Sequence, residues 1–172
     1  MMNEPIDIET TVQKPEWKKW AASVIILPIS IYFIFNYGHY GLIDNADLII
    51  HEGGHGVFRI FGSFIYTAGG TLMQIIIPSL IAWYFLENEY RTGVQFALLW
   101  LGQNFINISV YASDARAQKL PLLGGDKVYH DWHWMLSRLD MLEYDHVIGG
   151  IFIGIAVIIF IVSVSMPLIM KD

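Results

Sequence analysis

The chain has 172 residues, enough for one domain. It is 55% hydrophobic and only 15% charged, against about 25% charged in an ordinary soluble domain. It contains no cysteine, which excludes disulfides, thiolate metal sites and cysteine nucleophiles; the net charge of −6 says little by itself, and no nucleic-acid partner is expected.

Residues 1–20 open polar and acidic, without a small-residue cleavage site, and are expected to form a tail and not a cleavable signal. Trp17, Lys18, Lys19 and Trp20 suit a membrane interface. Five hydrophobic segments follow: Ala21 to Tyr37, with Pro28 inside; about Leu42 to Phe61; about Thr71 to Leu86; about Thr92 to Ala112; and one from Val147 to Met170. The last carries no charge, and about 20 apolar residues suffice to cross the hydrocarbon core. Gly150 and Gly154 on it make a small-x-x-x-small pair suited to close helix packing. The expected fold is therefore all-α. It is a polytopic membrane domain of about five spans over residues 21–172, immersed in the lipid bilayer.

Orientation follows the placement of Lys and Arg. With the N-terminus cytoplasmic, five spans put Lys14, Lys18, Lys19, Arg59, Arg116, Lys119, Lys127 and Arg138 inside and leave only Arg91 and Lys171 outside. The stretch 113–146 then becomes a cytoplasmic interfacial segment.

The second segment is the polar one, "LIIHEGGHGVFRIFG". Ionisable side chains at bilayer depth cost roughly 2.5–3.5 kcal/mol each, so they seldom occur there without a function. On a helix, His51 and His55 share one face and can present two imidazoles to one ion. Glu52 lies about 100° round the helix, placed to take a proton from a metal-activated water. Histidines four apart with a glutamate after the first form the H-E-x-x-H signature of zinc metalloproteases. Gly53 and Gly54 weaken the helix by about 1 kcal/mol each, and their expected use is the close approach of another backbone.

This arrangement resembles the site-2 protease class of intramembrane zinc metallopeptidases, over about Leu42 to Arg116. Members carry H-E-x-x-H on one membrane helix, a hairpin or re-entrant stretch, then two more helices, with an aspartate near the end of the last as third ligand. "GSFIYTAGG", Gly62 to Gly70, fits the hairpin by its alternating bulky residues and glycine turn. The resemblance implies one zinc per chain, Glu52 as general base, and a membrane-embedded or membrane-adjacent peptide substrate. It assigns the third ligand to Asp114. The family's usual proline upstream of this aspartate is missing from "NFINISVYASDAR", and Ala115 stands where glycine is usual. Position supports the assignment too, since Asp114 ends the fourth segment on the side where the His51–His55 helix exits.

A second polar cluster, "HDWHWMLSR", suggests an interfacial amphipathic helix that begins near Asp131 after a Gly124–Gly125 turn. Asp131 either caps that helix, or His130 or Asp131 ligates the metal or orients a ligand. Gln74, Gln103, Asn104 and Asn107 are candidates for holding substrate backbone, or alternatively for interhelical hydrogen bonds. Two competing functions stay open. One is a membrane di-iron oxidoreductase using His51, His55, His130 and His133, although the chain has only six histidines. The other is a metal-binding or metal-free subunit without turnover.

Overall fold

The computed structural model describes residues 16–123 and 128–170. The tail before Glu16 and the Gly124–Gly125 turn lie outside the described residues. Among the described residues the chain is helical, with no strand. A short 3-10 turn at Glu16–Trp20 leads into α1 (Ala21–Phe35), followed by α2 (Leu42–Phe58), α3 (Ser63–Glu87), α4 (Arg91–Ser113), α5 (Asp131–Arg138) and α6 (Asp145–Ile169). Three stretches are long and apolar enough to cross a membrane: Glu16–Phe35, Ser63–Glu87 and Leu142–Ile169.

α2 and α3 begin where the chain supplies a local signal. At the start of α2 the backbone N–H of Gly41 donates to Asp44 Oδ2 at 2.7 Å, which ties the first turn together. Gly62 takes φ +86°, a left-handed conformation that favours glycine, and turns the chain from α2 into α3. The expected hairpin over Gly62 to Gly70 is helical instead: α3 starts at Ser63 and runs unbroken for 25 residues. Gly69 and Gly70 serve packing there and not a turn. A Cβ on Gly54 would run into the Gly69 carbonyl, and one on Gly69 would meet the Gly54 carbonyl at 2.8 Å. α2 and α3 therefore touch backbone to backbone at that crossing. Of the motif's two glycines only Gly54 makes this approach, since Gly53 has open space around it.

α4 is the central helix, packed on α6, α3 and α1. The apolar core joins α1 (Ala22, Ile26), α4 (Leu99, Leu101, Phe105, Ile106) and α6 (Ala156, Phe160). Between helices in lipid the hydrophobic effect contributes little, so close packing and hydrogen bonds carry association. The bonds are present. Gln95 Nε2 donates to Ser23 Oγ at 2.8 Å and to the Ser163 carbonyl at 2.9 Å, while Ser163 Oγ donates back to the Gln95 carbonyl at 2.7 Å. Ser109 Oγ donates to the Gly149 carbonyl at 2.7 Å. Each such bond contributes about 0.6 kcal/mol in a membrane bundle. Gly149 is the glycine pressed against α4, whereas Gly150 and Gly154 face open space. At one end, Arg116 Nε and Nη2 grip buried Asp145, with Nε 2.9 Å from both carboxylate oxygens. That pair pins the chain leaving α4 to the start of α6.

Candidate metal centre

α2 delivers two imidazoles to one place. The His51 and His55 ring centroids lie 4.9 Å apart, as the four-residue spacing dictates. The third group comes from α5. Asp131 Oδ2 stands 2.9 Å from His51 Nε2 and 3.2 Å from His55 Nε2. Ligand atoms of the three residues lie within 4.8 Å of one another. His51 and Asp131 are 6% and 7% exposed, so the group is nearly closed to solvent.

The donor set suits zinc: two imidazole nitrogens and one carboxylate oxygen, without sulfur. Donors held at 2.0–2.1 Å in a tetrahedron stand about 3.3 Å apart, close to the two separations seen here. Burial disfavours the charge on Asp131, but the hydrogen bonds from His51 and His55 outweigh it and hold its carboxyl below the usual range. An ion held tetrahedrally by these three ligands would have one position left open.

Both imidazoles are oriented from behind. His55 Nδ1 lies 2.8 Å from the Tyr66 carbonyl, which can only accept, so Nδ1 carries a proton and Nε2 faces Asp131. His51 Nδ1 lies 2.9 Å from Gln74 Oε1. The His51 ring rests on Gly70, where any Cβ would collide with it. Asp131 is held in turn by Tyr111, whose hydroxyl accepts from the Asp131 N–H at 3.1 Å and faces Oδ2 at 3.4 Å.

Glu52 is exposed and, among the described residues, forms no hydrogen bond or ion pair. Its carboxylate is near enough to His55 and Tyr111 to interact electrostatically with both.

Asp114 stands elsewhere. Its Oδ1 accepts from the Lys119 N–H at 3.0 Å and its Oδ2 from the Leu120 N–H at 2.9 Å, so it closes the turn after α4. Asp114 Oδ2 is also 3.5 Å from His130 Nε2. The carboxylate brought to the two imidazoles is that of Asp131. The cap of α5 is His130 and not Asp131: its Nδ1 accepts from the His133 N–H at 3.2 Å. Burial pushes the His130 imidazole down, toward the neutral form. His133 Nδ1 lies 2.9 Å from the Ala115 carbonyl, so neither histidine of α5 joins His51 and His55.

The amides read as substrate holders are engaged with protein. Gln74 is 2% exposed, with Oε1 on His51 and Nε2 donating to Asn107 Oδ1 at 2.9 Å. Asn107 Nδ2 and Gln103 Nε2 donate to Asp44 Oδ1 at 3.0 and 2.9 Å. Asn104, fully buried, donates to the Trp100 carbonyl at 3.1 Å. Sequence reading passed over Asp44 and Tyr111. For Asp44 a signal existed: it precedes His51 by seven residues, two turns along the same face of α2. Comparison with protein-family models, with curated proteins and with solved structures gives no match.

Proposed function

We propose that this chain is a membrane zinc metallopeptidase that hydrolyses a peptide bond of a membrane-embedded or membrane-adjacent substrate. The observation that carries this reading is the convergence of His51, His55 and buried Asp131, with the exposed Glu52 next to His51 in the chain. The five-span arrangement and the cytoplasmic N-terminus belong to the same proposal. α2 and α4 would then both span, with Asp44, Asp47, His51 and His55 of α2 turned toward other helices.

His51, His55 and Asp131 would hold the ion, with Gln74, the Tyr66 carbonyl and Tyr111 fixing their orientation. Zinc supplies acidity to a water and polarises a carbonyl. Glu52 takes the proton from the water as its oxygen adds to the carbonyl carbon. It then returns that proton to the leaving amide nitrogen as the C–N bond breaks, so one water is consumed per bond and Glu52 ends as it began. The buried setting of the three ligands excludes bulk water and strengthens each electrostatic contact.

The test is cleavage of a single-span peptide substrate by purified protein in detergent. Activity should vanish with a chelator and return with zinc. Glu52→Gln should keep the metal yet lose about 10²–10⁴-fold in rate. Full activity in Glu52→Gln would refute the hydrolytic reading.

A further inference from the structure

The hydrogen bonds behind His51 do not stop at Gln74. They continue through Asn107 on α4 to Asp44 in the first turn of α2, about 10 Å along the helix from His51. We infer that Asp44, Asn107 and Gln74 are positioning residues that set the tautomer and orientation of His51, with Asp44 as the fixed end of the chain.

The direction of every bond follows from the carboxylate. Asp44 in its ionised form can only accept, so Asn107 must turn its NH2 toward Asp44 Oδ1 and its own oxygen toward Gln74. That oxygen accepts from Gln74 Nε2, which turns Gln74 Oε1 toward His51. An amide oxygen cannot donate, so His51 Nδ1 carries the proton and Nε2 is left as the atom facing His55 and Asp131. A free amide has two orientations of similar energy, and in the other one Gln74 would present an NH2 to His51 and favour the opposite tautomer. Asp44 removes that choice from two amides away. Its own position is held by Gly41 on Oδ2 and by Gln103 on Oδ1. The two ligand histidines are thus oriented by different means: His55 by a backbone carbonyl, His51 by a side-chain chain that a single substitution can reverse.

The consequence for zinc rests on the metal reading proposed above, whereas the tautomer of His51 does not. Two readouts therefore serve, on the full chain in detergent. One is the imidazole 15N spectrum of metal-free protein in an Asp131→Ala background, where no carboxylate faces Nε2 and the proton's place on His51 is set from the Gln74 side. The other is zinc affinity by competition with a chromogenic chelator. Asn107→Leu cuts the chain without contacting His51, and Gly41 and Gln103 still hold Asp44. It should move His51 from Nδ1–H alone to a mixture of tautomers and weaken zinc about 10-fold, the usual scale for groups behind a ligand histidine. The same substitution in a Gln74→Glu background should cost less than about 2-fold, because both Glu oxygens accept and no orientation has to be imposed. Equal losses in the two backgrounds would show that Asn107 acts only as packing and would overturn the inference. So would an unchanged His51 spectrum in Asn107→Leu, a result that decides even if the wild-type protein takes no zinc. Should Asn107→Leu fail to fold, Asn107→Ala gives the same comparison.

Discussion

Gly70→Ala is the smallest change aimed at the site, because it adds one methyl group on α3 directly beneath the His51 ring. A Cβ there would meet Cδ2 and Cε1 of His51 at 2.5 Å, with Nε2 nearer still. Non-bonded atoms of these types rest about 3.5 Å apart, so the ring must retreat by about 1 Å. It has nowhere to go without loss, since Nδ1 is on Gln74 and Nε2 is within 2.9 Å of Asp131. Overpacking of this kind costs about 1–3 kcal/mol of stability, and a displacement of about 1 Å in a working group costs on the order of 10²-fold. Zinc affinity should therefore fall by about 10²-fold in a chelator competition, with a lower unfolding temperature in detergent. Gly53→Ala is the control, as a Cβ there meets nothing within 4 Å. It should keep wild-type affinity and gain helix stability. Wild-type affinity in Gly70→Ala would refute the placement of His51 against α3.

Gly54→Ala should destabilise the α2–α3 crossing by about 1–3 kcal/mol in thermal unfolding, because its Cβ would occupy the space of the Gly69 carbonyl. Asp114→Ala should cost about 1–2 kcal/mol by releasing the Lys119 and Leu120 N–H groups, as loss of a cap does. Stripping zinc with a chelator should lower the unfolding temperature of the wild-type protein, since the ion binds only the folded chain. His55→Ala should abolish that shift. Reporter fusions at the C-terminus should read external; a cytoplasmic result would contradict the five-span topology.

The helices were legible because long apolar runs bounded by Gly, Pro and charge leave little choice of structure in 21–37, 42–61 and 147–170. α5 was legible too, from Trp132, Trp134 and Leu136 within a short polar stretch. Gly62 to Gly70 misled, because alternation over a few residues fits a strand as well as a helix face. The use of Gly69 and Gly70 depends on what crosses them, which is α2, and no local pattern carries that. His51 and His55 could be paired from spacing alone, as both lie on one helix. The third carboxylate could not. Asp114 and Asp131 are 17 residues apart in the chain, and only the fold decides which of them reaches α2. The roles of Gln74 and Asn107 were likewise hidden, because an interhelical amide and a substrate-binding amide have the same sequence signature.

The central claim is that His51, His55 and Asp131 together hold one zinc ion. Metal content of purified wild-type, Asp131→Ala and Asp114→Ala proteins, measured side by side after equilibration with limiting zinc, tests it most directly. The account predicts one zinc per chain in the wild type, its loss in Asp131→Ala, and near-complete retention in Asp114→Ala. Zinc kept in Asp131→Ala but lost in Asp114→Ala, or no zinc in the wild type, would contradict it.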